Sequence, residues 1–177
     1  MAGLNLGCGR RAIQGTFGVD RVTLPGVDVI ADLDGAALPF ADDSVDAVYA
    51  YHILEHLRNL TAVMEEIHRV CRDKGRVMIE VPYFTCVGAF GDPTHVRFFT
   101  YETFRFWEAT TNQANWFTAA RFRIVRRRLV FGKAHRLLGI AWLANRFPNI
   151  YENFFAYWFP ARLLAVELAV SKPGAER

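Results

Sequence analysis

The sequence predicts an α/β domain: a mostly parallel, seven-stranded sheet that ends in an antiparallel hairpin. Three observations predict it. Short apolar runs alternate with loop and helix signals through the first hundred residues, as parallel strands joined by right-handed crossovers require. The first run, Leu4-Asn5-Leu6, turns on Gly7-Cys8-Gly9, and Asp20 ends the second run eleven residues later. A glycine turn after one strand and a carboxylate ending the next is how α/β nucleotide folds hold a ribose-bearing cofactor. Past Pro82 the pattern changes, and residues 121–130 alternate well enough to pair with a final apolar run at 163–170.

Taken in order, strand one covers about residues 3–6, strand two 17–20 and strand three 27–31, which Asp32 follows. The next loop, 35–44, holds Leu38-Pro39-Phe40 and the turn-forming pair Asp42-Asp43. Strand four is 45–50. A helix follows over 60–71, with Val63, Ile67 and Val70 at helical spacing. Asp73-Lys74-Gly75 reads as a turn, and strand five, 76–81, stops at Pro82. Residues 85–97 are loop-like and 100–109 read as a helix. The stretch 134–158 is aromatic and helix-prone, broken at Pro148.

The 177 residues suit one domain, which at this size buries roughly 70% of its extended surface. A hydrophobic content of 52% and an aromatic content of 14% exclude a disordered chain. No charged segment followed by an apolar run marks a signal peptide. The apolar runs at 137–144 and 163–170 are too short to span a bilayer. Cys8, Cys71 and Cys86 form neither a disulfide framework nor a zinc knuckle. The cytoplasm is the expected compartment. The net charge of +3 hides an asymmetry. Residues 1–108 carry ten Lys and Arg against fifteen Asp and Glu, and residues 109–177 carry eleven against three. No acid lies between Glu108 and Glu152. Such a stretch is either a solvated basic face or a surface for phosphates, anionic lipid or an acidic substrate.

Four ordered motifs carry a family resemblance: Leu-Asn-Leu-Gly-Cys-Gly at 4–9, Asp20, Ala31-Asp32-Leu33 with Leu38 to Asp46, and His52-Ile53-Leu54-Glu55-His56-Leu57. With them the chain resembles the class I S-adenosylmethionine-dependent methyltransferases of the type 11-like group, over about residues 3–100. The resemblance implies a Rossmann-like three-layer sandwich in a single domain spanning 1–177. Residues 3–100 would be the cofactor-binding core, and 101–177 would supply the substrate side. It implies S-adenosyl-L-methionine as cofactor and methyl transfer to a small-molecule or lipid-linked acceptor. The alternative is a non-catalytic member that uses the fold for binding or assembly at a membrane surface.

The resemblance also implies roles. Gly7, Cys8 and Gly9 would let main chain approach the amino-acid half of the cofactor. Asp20 would accept from the ribose hydroxyls and Asp32 from the adenine amino group, with Leu33 lining the adenine slot; Asp34, two residues on, competes with Asp32 for its role. Tyr51 and His52 would face the methionine end, where an aromatic face stabilises a sulfonium. The chain departs from the family in its first motif, where Asn5 replaces an acid and Arg11 follows in place of a third glycine. Residues 9–19 are too few for a full helix. Many relatives cover the substrate with helices ahead of strand one; here either the site is open or the aromatic tail supplies the lid.

In the loop after strand five, His95 is a candidate general base, because imidazole titrates near 6.5. Asp92 would orient it and Arg97 would hold an anionic group, unless the loop is simply braced by its own polar side chains. Tyr83 and Phe84 read as core or as pocket wall. The string His52-x-x-Glu55-His56 matches a zinc-protease signature, yet no third ligand stands at suitable spacing. Glu55 and His56 are therefore read as structural, with no metal expected. The aromatic tail has three readings: core, a homodimer surface, or, with its arginines, a peripheral membrane contact. No nucleic-acid-binding module is recognisable.

Overall fold

The computed structural model describes residues 3–35, 37–110 and 116–172. Seven strands form one sheet: β1 (Gly3–Leu6), β2 (Thr16–Asp20), β3 (Val29–Ile30), β4 (Val45–Tyr51), β5 (Cys71–Pro82), β6 (Phe122–Val130) and β7 (Leu163–Val170). Their order is β3-β2-β1-β4-β5-β7-β6. β1 to β5 run parallel, and β7 lies antiparallel between β5 and β6. The expected mixed sheet with its antiparallel end is what the chain forms. β1 pairs with β2 on one side and β4 on the other. The chain order therefore reverses at β1, and an α/β sheet opens its ligand crevice at such a point.

The apolar runs form the core. All four residues of β1 are buried, and Val48, Ala50, Val77, Ile79, Leu164 and Leu168 are sealed from solvent in the central strands. Helix α1 (Leu60–Val70) starts where the Asn59 side chain accepts the Ala62 N–H. Its buried stripe of Leu60, Val63, Met64, Ile67 and Val70 has helical spacing and faces the sheet.

Several elements differ from expectation for local reasons. β3 is only two residues long because Asp28 takes the Gly18 N–H on its carboxylate at 2.7 Å and gives its own N–H to the Gly18 carbonyl. That side chain captures what a ladder would otherwise use. The turn at 73–75 lies within β5: Lys74 has φ 62 and the register with β4 shifts between Val45 and Ala47, as in a bulge. The helix expected at 100–109 is a single 3-10 segment, Thr103–Trp107, fixed by parallel stacking of Phe99 on Phe104 at 5.6 Å. No helix joins β1 to β2. The buried Asn5 amide instead donates to the Arg11 carbonyl at 2.7 Å and closes the turn.

The tail folds into short helices, α2 (Val87–Gly91) having preceded them: α3 (Lys133–Leu137), α4 (Ile140–Arg146) and α5 (Pro148–Ile150), the last running into a wide turn at Tyr151–Phe155. The Asn145 amide pins α4 to the sheet. It accepts the Leu129 N–H at 2.8 Å and donates to the Leu129 carbonyl at 2.9 Å, so a side chain completes edge strand β6.

Candidate functional site

The C-terminal ends of β1, β2 and β4 open on a cavity of about 900 Å³, with Gly7, Asp20, Asp32, Leu33, His52 and His56 in its wall. Asp20 ends β2. Its Oδ2 accepts the Gly9 N–H at 2.8 Å and its Oδ1 the Val22 N–H at 3.1 Å. A carboxylate has about four acceptor positions, so both oxygens keep capacity for a ligand. The competition between Asp32 and Asp34 is resolved by their partners. Asp34 is committed to the N–H groups of Arg58 and Asn59, at 2.7 and 3.1 Å. Among the described residues, the Asp32 side chain accepts only the Asp34 N–H, on Oδ1 at 3.0 Å.

The two glycines of the turn do different work. Both have positive φ, 60 and 52, which favours glycine. A Cβ at Gly7 would lie 2.4 Å from Ile53 Cγ1, whereas one at Gly9 would meet nothing within 4 Å. The missing side chain at residue 7 thus makes room for Ile53 beside the cavity. Cys8 points inward, 4% exposed, with Sγ 3.8 Å from the Gly26 carbonyl; burial pushes its thiol pKa up.

Beyond β4 the chain enters a 3-10 turn, Leu54–His56. His52 precedes it with φ 55, a strained conformation for a residue with a side chain. Its Nδ1 lies 3.4 Å from Oε1 of Glu55, whose side chain is 1% exposed. This carboxylate raises the His52 pKa above its ordinary value, against the opposing effect of burial. The Glu55 carbonyl accepts the N–H groups of Val96 and Arg97, at 2.9 and 3.2 Å. The loop after β5 is thereby held against the turn after β4. In that loop Asp92 accepts both the hydroxyl and the N–H of Thr94, which lowers its pKa. Thr94 Oγ1 also meets His56 Nδ1 at 2.9 Å.

Other expected site residues are placed elsewhere. Tyr51 presents its ring face to the Arg11 guanidinium, 5.1 Å away, instead of leaving it for a sulfonium. Tyr83, expected at the substrate, is fully buried and donates its hydroxyl to Glu152 at 3.0 Å, so it offers a ligand no surface. Arg97 is spent on backbone: its guanidinium donates to the carbonyls of Leu57, at 2.8 Å, and Arg58. His95, at 8% side-chain exposure, lies behind His56, its Nδ1 3.0 Å from the Ala89 carbonyl and its Nε2 3.9 Å from Asp92 Oδ2. Ile53, His56 and Thr94 are wall residues the sequence did not single out for the cavity. The strand-end position of the His52–Leu57 string was the available signal for the first two.

The wall fits an adenosyl group on three observations. Asp20 and Asp32 keep acceptor capacity, Leu33 gives an apolar side, and the space beside Gly9 is open. Asp20 and Asp32 would hold the hydroxyls and amine of such a group.

Residues 4–79 match a family model described as a methyltransferase domain. Among solved structures, the chain is similar to the YcgJ protein of Bacillus subtilis, with a TM-score of 0.61 at 15% identity over 98% of this chain and 92% of that one. It is also similar to a SAM-dependent methyltransferase of Archaeoglobus fulgidus, with a TM-score of 0.59 at 17% identity over 95% and 85%. A third likeness is to a chain in the complex between the Haloferax volcanii Trm112 methyltransferase activator and a methyltransferase, with a TM-score of 0.58 at 16% identity over 97% and 83%. No curated protein matches the chain. At these identities the structures show the fold, and the family model adds the domain. Residues 4–79 thus match a methyltransferase domain, within a fold that the whole chain shares with S-adenosylmethionine-dependent methyltransferases, and S-adenosylmethionine is the cofactor this likeness implies.

Proposed function

We propose that this chain transfers a methyl group from S-adenosylmethionine to a nucleophile on a small-molecule or lipid-linked acceptor. The observation that carries the reading is the cavity at the β1 reversal point, where Asp20, Asp32 and His52 share one wall. The cofactor supplies a sulfonium methyl, and the protein supplies position and a base. Asp20 and Asp32 anchor the adenosyl group. His52 is the base this geometry favours over His95 and its partner Asp92. It is 45% exposed in the cavity wall, and its Nδ1 faces Glu55, so the neutral ring keeps Nε2 unprotonated. Holding the acceptor atom about 3 Å from the methyl carbon supplies most of the rate. The test incubates the chain with methyl-labelled S-adenosylmethionine and either aqueous metabolites or extracted lipids. Label entering one fraction, and lost with His52→Ala, supports the reading. Label entering neither fraction above a no-protein blank overturns it.

One observation favours a second reading, a binding or assembly protein at a membrane. Eleven large apolar side chains between residues 137 and 159 are exposed, Trp142 to 67% and Trp158 to 79%. Exposed Lys133, Arg136 and Arg146 stand among them, and the one acid of that stretch, Glu152, is turned inward to Tyr83 and the Tyr101 N–H. A cationic aromatic face suits anionic headgroups. It also serves the first reading, because it would bring a lipid-linked acceptor to the site. No helix among the described residues is long and apolar enough to cross a membrane. The activator in the Haloferax complex names the competing occupant, a partner protein. Flotation with anionic vesicles but not with zwitterionic ones favours the bilayer. Enzymatic turnover separates the first reading from the second.

A further inference from the structure

The turn after β4 and the loop after β5 bring three ligating side chains together. Atoms of Glu55, His56 and His95 able to bind a metal all lie within 4.8 Å of one another. We propose that these residues form a site for a first-row divalent cation, with zinc as first choice, that ties the 92–97 loop to the cavity wall. The sequence alone offered His52 and His56 as the pair. In the folded chain residues 54–56 form a 3-10 turn, and the second histidine comes from 39 positions further on.

Both rings are already set as ligands. His95 Nδ1 lies 3.0 Å from the Ala89 carbonyl. A carbonyl only accepts, so Nδ1 carries the proton and Nε2 the lone pair. That lone pair is not spent on Asp92, whose Oδ2 is 3.9 Å away, beyond hydrogen-bond length. Thr94 gives its hydroxyl proton to Asp92 Oδ1 at 2.6 Å, so toward His56 Nδ1, at 2.9 Å, it accepts. His56 Nδ1 is therefore the donor, and its Nε2 also carries a lone pair. Metal-binding histidines characteristically hand their other N–H to such a partner, which fixes tautomer and ring angle.

The third ligand supplies the independent sign. Glu55 is buried, its Oε1 faces His52, and its Oε2 has no hydrogen-bond partner among the described residues. A buried carboxylate oxygen left alone is costly, and buried charges are normally paired or bound to metals. Two imidazoles and one carboxylate suit zinc, which holds nitrogen at about 2.0–2.1 Å and so draws neighbouring ligand atoms to within roughly 3.4 Å. Binding an ion would therefore draw these ligand atoms closer together than they stand in this structure. Three protein ligands leave a fourth position for water or an acceptor oxygen.

The test uses the untagged full chain, stripped with chelator and without cofactor, so its outcome is separate from methyl transfer. Zinc is titrated by calorimetry and cobalt by visible absorption. The expected results are one ion per chain, ligand-field bands of a nitrogen-oxygen site, and a melting temperature that rises with zinc. His95→Ala and His56→Ala each lower the affinity at least 100-fold. Thr94→Val, on the exposed loop, lowers it about 10- to 100-fold through the lost second hydrogen bond. His135→Ala, elsewhere in the chain, leaves it unchanged. The proposal is overturned if neither ion binds stoichiometrically, or if binding survives both His56→Ala and Thr94→Val in variants whose circular dichroism matches the parent.

Discussion

Replacing Asp20 with alanine tests the site through two quantities at once. Asp20 accepts the partly buried Gly9 N–H at 2.8 Å and the exposed Val22 N–H at 3.1 Å. A hydrogen bond to a charged group contributes about 1.5–3 kcal/mol, and the exposed one counts for less. The fold should therefore lose about 2–3 kcal/mol, a fall of roughly 4–12 °C in Tm for a chain of this size. The same carboxylate is assigned to the ribose hydroxyls. Losing about 3 kcal/mol there weakens S-adenosylhomocysteine binding roughly 100-fold, at 1.4 kcal/mol per factor of ten. Asp20→Asn keeps one acceptor oxygen and the side-chain shape, so it should fall between alanine and the parent in both measurements. Calorimetry gives the affinity and differential scanning fluorimetry the Tm. If Asp20→Ala melts lower as worked here yet binds S-adenosylhomocysteine within about threefold of the parent, the spare acceptor capacity does not serve the ribose and the assignment is wrong.

Gly7→Ala should destabilise the chain by about 2–4 kcal/mol, since it adds a side chain at positive φ against Ile53. Denaturant melts should show Ile53→Ala recovering part of that loss, and equal losses in the single and double variants would refute the contact. His52 should titrate above its ordinary 6.5 in an NMR titration, and Glu55→Gln should bring it down, because the carboxylate is the main cause of the shift. Since the folded-state pKa is raised, the stabilisation from charged His52 is complete below about 6.5 and is lost as pH climbs through the raised value. A base that works unprotonated therefore gains activity over that same rise, and an unshifted limb in Glu55→Gln would count against the pair. Trp142→Ala with Trp158→Ala should abolish flotation with anionic vesicles while changing Tm by less than about 3 °C, as both rings are largely exposed.

Much of this molecule was written in its linear pattern. The strands were legible because apolar runs bounded by glycine, proline and acidic turns have few other solutions, and α1 because Val63, Ile67 and Val70 recur once per turn. The glycine turn and Asp20 announced a crevice for the same reason: backbone at positive φ is a local property of the chain. Only tertiary structure decided how the polar groups are shared. Asp32 and Asp34 look alike in sequence, yet one is committed to the start of α1 and the other is not. Tyr83 and Arg97 follow the right strand, but burial against Glu152 and capture by the Leu57 carbonyl remove them from the site. His95 joins Glu55 and His56 only because backbone bonds from Val96 and Arg97 dock one loop on another. Periodicity is set by neighbours a few residues away, whereas a hydrogen bond or ligand set depends on distances of a few ångströms between residues far apart in the chain, and only the folded chain supplies those.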